Sequence, residues 1–513
     1  MSWIKRIARA VNAVRLLVVN VLFIIVLAII VAVLFAEDTP IEIPPGSTLV
    51  VEIIGNLAEE DTNGNSLAEF LEQGSDVNHL SVESIVLSLE NALQDRRVES
   101  VLLILEQASE IPITYAKRIG SALKLLQKEG KRIFAYSTQY SQGQYLLASY
   151  ADRVYLHPNG QFIPLGYQVT NSYYKDFLDR FGVNIHVFRA GKYKGAVEPF
   201  TRNSMSEESI NNNLDLINNM WASYLSTIAD NRSLLLTEVR DYALNYVALL
   251  EDSDGKSAAL ALKKGLIDRM ISSHELEKTI AKELALQANH SLKLVSSDQY
   301  NAANYKQSLV HRESANNIAI INATGPIVNE GLGAESISAR SLKELMRRAV
   351  NDPEIKALVV RINSPGGSAF ASELIREELE NIQEHGKPVV ISMSNIAASG
   401  AYWIASTTDW IVAEPDTITG SIGIFGIVPT FEESLENIGI SADGVGTSKL
   451  SEAFDPRYPL SESANRLLSV SISDGYNQFV ELIVRGRELS LPRVKELATG
   501  KVWTGTQAKE LGL

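Results

Sequence analysis

The sequence contains one unit twice, with matching residues 257 positions apart. The apolar run at 101–105 returns at 358–362, where only Arg361 interrupts it. Solenoid repeats are far shorter, at roughly 20–50 residues, so this period predicts two similar domains. Further pairs at the same spacing are Asp95 and Asp352, Gly143 and Gly400, Tyr145 and Tyr402, Ala148 and Ala405, Ser149 and Ser406, and Asp152 and Asp409.

Short apolar runs alternate with segments of helical spacing in both copies. In the first copy, the run at 101–105 precedes a helical pattern at 115–128, and the run at 133–136 precedes another at 144–150. This alternation is typical of βαβ units with parallel strands. The sequence therefore predicts an α/β fold made of tandem duplicated domains. The predicted parts are a first copy at 47–288, a connector at 289–316 and a second copy at 317–513.

A long apolar run at 16–35 lies near the N-terminus, with Asn20 as its one polar residue. A run of about 20 apolar residues is long enough to cross a bilayer. Four basic residues precede it within residues 1–15, and Glu37 and Asp38 follow. The positive-inside rule then predicts an uncleaved anchor with residues 1–15 in the cytoplasm and the remaining chain outside. A cleaved signal peptide is the alternative, but its apolar region is shorter, at about 7–15 residues.

Composition excludes several classes of function. The net charge of −14 argues against a nucleic-acid partner, because such proteins usually present a basic face. Cysteine is absent, which excludes disulfides, a thiolate nucleophile and cysteine-bound metal. We predict neither a cofactor nor a metal centre.

The two copies differ at the positions where catalytic residues are expected. The first copy has Gln142 where the second has Ser399, and Glu110 where the second has Gly367. The first copy in turn contains Lys194 within a segment bounded by glycines. A serine in one copy and a lysine in the other predict an active site assembled between the copies.

Ser399 is the candidate nucleophile and Lys194 the candidate base. A serine hydroxyl needs a base, and none of the seven histidines lies in a recognisable triad context. Lysine can serve when it is buried, because burial lowers the pKa of its ammonium group. Ser399 precedes an apolar helix whose first N–H groups, including that of Gly400, can bind an oxyanion. Gly366 and Gly367 follow another strand and offer a further N–H donor.

Each candidate residue also has an ordinary structural interpretation. Ser399 is suited to a helix N-cap, and an isolated lysine such as Lys194 is usually solvated. Ser421, between Gly420 and Gly423, fits a plain turn. Only the combination of these residues favours catalysis.

The combined motifs resemble those of the signal peptide peptidase A family in its long, double-repeat, membrane-anchored form. The resemblance implies a serine–lysine dyad peptidase on a ClpP/crotonase-like fold, with Ser399 as nucleophile and Lys194 as general base. It further implies that Ser421 orients the lysine amine and that Gly366 or Gly367 supplies part of an oxyanion hole. The matching motifs are Asn363-Ser364-Pro365-Gly366-Gly367, Ala397-Ala398-Ser399-Gly400-Ala401-Tyr402-Trp403, Thr419-Gly420-Ser421-Ile422-Gly423-Ile424-Phe425-Gly426 and Tyr193-Lys194-Gly195-Ala196-Val197-Glu198-Pro199-Phe200.

The same resemblance implies a location, an assembly and a substrate. It implies a homotetramer in the bacterial inner membrane, with its catalytic domains in the periplasm. Members of this family degrade signal peptides that remain in the membrane after their release from preproteins. We therefore expect apolar peptides as substrates and the lipid bilayer as a partner.

Alternatives remain for the base and for the function. Lys449 lies in Gly446-Thr447-Ser448-Lys449, which aligns with the segment of Lys194 and makes Lys449 a rival base. An acyl-CoA enzyme of the crotonase type is a second function class, although it would not need Lys194. A non-catalytic membrane scaffold is a third, although it gives no reason for the difference between the copies.

Overall fold

The computed structural model describes residues 3, 12–13, 15–17, 19–25, 27, 42–59, 81–287, 291–309, 316–330 and 336–513. Contacts divide the chain into Met1–Ile43 and one compact unit, Pro44–Leu513. The predicted anchor at 16–35 is only partly covered, since 28–35 lie outside the described residues. Across the described part, no helix is both long enough and apolar enough to cross a membrane.

The first copy forms a parallel sheet covered by helices. Its strands are β1 Ser47–Gly55, β2 Val98–Ala108, β3 Arg132–Ser137, β4 Arg153–Leu156, β5 Asn184–Ala190, β6 Arg269–Met270 and β7 Lys293–Ser296. All but β5 join one sheet in the order β6-β4-β3-β2-β1-β7, and every pair in it is parallel. The stretch expected as a connector therefore contributes β7 to this sheet. The helices are α1 Val82–Gln94, α2 Ile113–Lys128, α3 Gln142–Ala148, α4 Lys175–Arg180, α5 Glu198–Thr201, α6 Glu207–Arg232, α7 Leu236–Leu244, α8 Tyr246–Glu251, α9 Ser257–Lys263, α10 Ser273–Glu283 and α11 Ser297–Leu309.

The second copy forms a similar sheet. Its strands are β8 Asn317–Thr324, β9 Ile327–Val328, β10 Ile337–Ser338, β11 Ile355–Ser364, β12 Val389–Ala398, β13 Trp410–Ala413, β14 Ile418–Gly420, β15 Ile424–Thr430 and β16 Val502–Thr504. The sheet order is β16-β14-β12-β11-β8, with β13 beside β12 and β16 as its antiparallel edge. The helices are α12 Ala339–Asn351, α13 Ala369–Glu384, α14 Gly400–Ala405, α15 Glu432–Asn437, α16 Glu462–Arg487, α17 Leu491–Leu497 and α18 Gly505–Leu511. These alternating elements confirm the predicted α/β fold.

The copies correspond element by element. Helices α1 and α12 begin and end 257 positions apart, and so do strands β4 and β13. Strand β12 is long and runs from Val389 to Ala398. It continues because its last three residues pair with β14 after β13 has ended. The longer strand ends directly before Ser399.

One small sheet joins the two copies. Strand β5 of the first copy pairs antiparallel with β15 of the second, with Ala190 opposite Ile424 and Asn184 opposite Thr430. The residues that follow β5 therefore lie beside the residues that precede β15. This pairing brings Lys194 next to Ser421.

Candidate active site

Ser399 occupies a sharp turn between strand β12 and helix α14. Its backbone has φ 57° and ψ −116°, a region that residues other than glycine rarely adopt. Its N–H donates to the carbonyl of Gly420 at 2.8 Å, and its carbonyl accepts from the N–H of Trp403 at 2.9 Å. The Ser399 side chain makes no capping bond to the helix, so its hydroxyl is available for other partners. A strained residue between a strand and a helix is a recurrent setting for a nucleophile.

The amine of Lys194 has three oxygen neighbours. Its Nζ lies 2.8 Å from Ser399 Oγ, 2.9 Å from Ser421 Oγ and 2.6 Å from the Ser421 carbonyl oxygen. The side chain is only 4% exposed. The structure therefore brings together Ser399, Lys194 and Ser421. The Ser421 carbonyl contact was missed, because a backbone oxygen leaves no signal in the sequence.

Close backbone packing holds the lysine in place. Gly191 has φ 112°, and a Cβ built there would lie 3.0 Å from the Thr499 carbonyl oxygen. Tyr193 donates its N–H to that same carbonyl at 2.8 Å. A Cβ built on Gly500 would lie 2.8 Å from the Lys194 nitrogen, so Gly500 also allows close approach. The second copy thus contacts the lysine segment closely through Thr499 and Gly500. Sequence analysis did not identify these two residues.

Burial lowers the pKa of Lys194 from 10.5 to about 7. The physical cause is desolvation, which disfavours the charged ammonium form. A neutral amine can donate to the two Ser421 oxygens and accept the Ser399 hydroxyl proton with its lone pair. The geometry therefore suits a general base that works near neutral pH.

Glycine residues place backbone donors beside Ser399. A Cβ built on Gly400 would lie 3.1 Å from the Gly367 nitrogen, so these two N–H groups are neighbours. Gly366 already donates its N–H to Ser364 Oγ at 3.1 Å. Its own Cβ would lie 2.8 Å from the Gly400 nitrogen, which explains the need for glycine there. Gly367 and Gly400 are therefore better placed than Gly366 to bind an oxyanion.

Two cavities are lined in part by both Ser399 and Lys194. The larger, of about 670 Å³, has a polar wall that includes Asn171, Asn212 and Asn213. The smaller, of about 180 Å³, lies between Ser399 and an apolar wall. The side chains of that wall are Ala369, Trp403, Ile424, Phe425 and Phe479. Among the described residues, no group of three or more acidic, histidine or cysteine side chains is arranged to hold a metal ion.

The corresponding position in the first copy contains different side chains. We call this position, which comprises Glu110, Gln142 and Gly143, the degenerate site. Gln142 accepts the N–H of Gly166 at 2.8 Å with its side-chain oxygen. Glu110 accepts the N–H of Gly143, the counterpart of Gly400, at 2.7 Å. A carboxylate thus occupies the position where the second copy can bind an oxyanion. The rival base Lys449 is exposed, while Lys194 contacts Ser399.

A serine hydroxyl beside a buried lysine amine, with backbone donors next to it, is the arrangement of the Ser-Lys variants of serine peptidases. The sequence profile of peptidase family S49 matches residues 125–281 and 381–513, and the chain belongs to this family. One matched segment falls in each copy, in agreement with tandem duplication. Family membership confirms the predicted serine peptidase.

Curated relatives support the same assignment. The chain is 38% identical to "Protease 4" of Haemophilus influenzae over 85% of this chain and 70% of that protein. It is 34% identical to "Protease 4" of Salmonella typhi over 98% of this chain and 82% of that protein. It is 28% identical to "Serine protease SPPA, chloroplastic" of Arabidopsis thaliana over 85% of this chain and 63% of that protein. A solved ClpP1 mutant from Listeria monocytogenes aligns with a TM-score of 0.25, at 15% identity, over 40% of this chain and 92% of that one.

Proposed function

We propose that this chain is a membrane-anchored serine endopeptidase that degrades cleaved signal peptides and other apolar peptides. Ser399 is the nucleophile and Lys194 the general base. The observation that carries the proposal is the 2.8 Å contact between Lys194 Nζ and Ser399 Oγ. The lysine is almost fully buried, which makes it a neutral base near physiological pH.

The reaction proceeds in two proton-coupled stages. The neutral Lys194 amine takes the hydroxyl proton as Ser399 Oγ attacks the peptide carbonyl carbon. The oxygen that becomes negative binds the N–H groups of Gly367 and Gly400. The lysine ammonium then protonates the leaving nitrogen, which leaves an acyl group on Ser399. Water, deprotonated by the same amine, attacks this acyl group, and the ammonium returns the proton to Ser399 Oγ as the second product leaves. Ser421 keeps the amine directed at Ser399 in both stages.

The cavity beside Ser399 supports apolar substrates. It holds about 180 Å³ and is bounded by small, aliphatic and aromatic side chains, including Ala369, Ile424 and Phe479. Burial of an apolar peptide side chain in such a cavity is favourable by about 25 cal/mol per Å² of buried surface. Beyond Lys194, Ser368 and Ser399, the lining side chains give a charged group no compensation for its lost hydration. Signal peptides carry the apolar residues that this cavity favours.

The proposal is tested with the full chain in detergent and a synthetic signal peptide. We expect cleavage next to apolar residues, measured by mass spectrometry of the products. A peptide of equal length with Lys or Glu at those positions is the matched control and should be cut far more slowly. A fluorophosphonate adduct should map to Ser399. Cleavage by Ser399→Ala at the unmodified rate, or an adduct on another residue, would exclude the mechanism.

The membrane location rests on the apolar run at 16–35 and the basic residues before it. We infer one span, a cytoplasmic N-terminus and catalytic domains in the periplasm of a bacterial inner membrane. An alkaline phosphatase fusion after residue 60 should be active, because that enzyme folds only outside the cytoplasm. An inactive fusion at normal abundance would contradict this orientation.

We also infer a homotetramer, as the family resemblance implies. The copies contact each other through different surfaces, β5 of one and β15 of the other. Head-to-tail contacts of this kind form a closed ring when the rotation that relates neighbouring chains closes. Sedimentation analysis of the purified chain should give four times the 56.3 kDa chain mass. A monomer at all concentrations would contradict the assembly.

A further inference from the structure

Two positions near the degenerate site are open to solvent, although the matching positions of the second copy are buried by neighbouring residues. Ile422 is 0% exposed, whereas its counterpart Leu165 is 85% exposed. A Cβ built on Gly500 would lie 2.8 Å from the Lys194 nitrogen. Gly255-Lys256 of the first copy matches Gly500-Lys501 of the second, and a Cβ built on Gly255 would meet no described atom within 4 Å. The first copy therefore lacks the cover that the Lys194 segment gives to the second copy.

The second copy contains a segment that corresponds to the Lys194 segment but covers no site in the chain. Residues 446–449 are the counterpart of the Lys194 segment, and all four are exposed. Within one chain, the segment at 446–449 therefore covers no site, and no such segment covers the degenerate site. Within a chain, the first-copy segment meets the second-copy site. The same contact repeated between chains would place the second-copy segment on the first-copy site of a neighbour.

The charges of this segment and the degenerate site are complementary. Glu110 is exposed and accepts the N–H of Gly143 with one carboxylate oxygen, which leaves the other oxygen for a cation. Lys449 is the residue that corresponds to Lys194. In the second copy, Lys194 reaches Ser399, and the counterpart of Ser399 is Gln142. A lysine that enters the degenerate site in the same way arrives beside Gln142 and Glu110.

We propose that Lys449 of one chain enters the degenerate site of a second copy and forms an ion pair with Glu110. This inference rests on the proposed assembly and specifies one of its contacts. The degenerate site lacks a nucleophile, because Gln142 replaces Ser399 and Pro164 replaces Ser421. The first copy then supplies a joint between chains in place of a second peptidase site. Lysine remains the suitable residue in both segments, as a base in one and as a cation in the other.

The absence of cysteine from the chain allows a direct cross-linking test. In the contact within the chain, a Cβ built on Gly500 lies 3.2 Å from Lys194 Cβ. Disulfides join Cβ atoms about 3.8 Å apart, so the equivalent pair between chains can be bridged. Full-length Gly255→Cys and Lys449→Cys chains with different tags are co-expressed. Their membranes are then solubilised in detergent and oxidised. We expect a disulfide-linked pair that carries both tags. Lys495→Cys, also at an exposed lysine, is the matched control and should give none.

A charge exchange tests the ion pair itself. Glu110→Lys should weaken association between chains by about ten-fold or more, because two lysines would then meet. Lys449→Glu alone should weaken it similarly, and the double variant should recover most of the loss. Sedimentation at several concentrations measures the association. High salt should lower the association of the unmodified chain more than that of Glu110→Gln.

Three results would overturn the inference. One is an assembled protein without the mixed disulfide, another is an unassembled chain, and the third is a double variant no better than the single variants. Fluorophosphonate labelling of Ser399, measured in every variant, keeps this outcome separate from the peptidase proposal. Labelling depends on Lys194 within one chain and should persist when the joint is lost.

Discussion

In the proposed mechanism, the lowered pKa of Lys194 makes the rate of the enzyme depend on pH in a defined way, because Ser399 attacks only when the lysine is neutral. At pH 7.5, a lysine with an ordinary pKa of 10.5 is ~0.1% neutral, and one with a pKa of about 7 is ~75% neutral. Burial therefore raises the population of the neutral amine by about 10³-fold. We expect the rate to rise about ten-fold from pH 6 to a plateau above about pH 8.

The assay is the second-order rate constant for fluorophosphonate labelling of Ser399 between about pH 5 and pH 9, with kcat/KM for an apolar peptide alongside. Labelling isolates the attack step, whereas kcat also includes product release. Lys194→Ala is the control and should lack the rise centred near pH 7. A flat profile, or a rise centred near pH 10, would refute the argument that desolvation prepares the base.

The same pKa shift predicts an effect on folding stability. The folded chain binds fewer protons at Lys194 than the unfolded chain between about pH 7 and pH 10.5, so this residue makes stability increase with pH in that window. Desolvation of Lys194 costs on the order of 4 kcal/mol at pH 7, partly offset by its three contacts. Lys194→Met should therefore unfold at a higher denaturant concentration than the native chain at pH 7. Its advantage should shrink toward pH 10, and an advantage independent of pH would contradict the shift.

The site supports three further comparisons of substituted chains. Lys194→Ala should match Ser399→Ala in loss of peptide hydrolysis, while Lys449→Ala keeps most activity; the reverse pattern in a peptide assay would make Lys449 the base. Ser421→Ala should lower kcat about ten-fold with little change in KM, because the amine loses one oriented contact and keeps the Ser421 carbonyl. Ser399→Gly should be about 1 kcal/mol more stable to denaturant than Ser399→Ala, since its φ of 57° favours glycine; equal stability would mean that the turn is unstrained.

Sequence patterns alone predicted those site residues whose side chains differ between the copies. Gln142 opposite Ser399, and the separate lysine segment, predicted a site divided between the copies. The structure places Lys194 Nζ 2.8 Å from Ser399 Oγ, at the end of a strand pairing that has no sequence signature of its own. Antiparallel partners distant in the chain are selected by packing and register, which short-range patterns do not encode.

Backbone groups explain most of what sequence analysis missed. The Ser421 carbonyl binds the lysine amine, and the Thr499 carbonyl holds the lysine segment. Every residue carries such groups, so only their placement in space distinguishes them. The choice of Gly367 over Gly366 as a donor also depends on geometry, because Ser364 already takes the Gly366 N–H. Local patterns identify a glycine loop, and the fold decides which of its N–H groups is free.

Because the site is divided between the copies, the pKa of Lys194 depends on how the two copies pack together. Lys194 belongs to the first copy, but its three polar partners belong to the second. The strand pairing of β5 with β15 and the contacts at Thr499 and Gly500 are what exclude water from its amine. If the copies separated, the amine would regain water, its pKa would return toward 10.5, and Ser399 would lose its base. Under the proposed mechanism, peptidase activity therefore requires the packed chain, which gives the first copy a physical role without a nucleophile of its own.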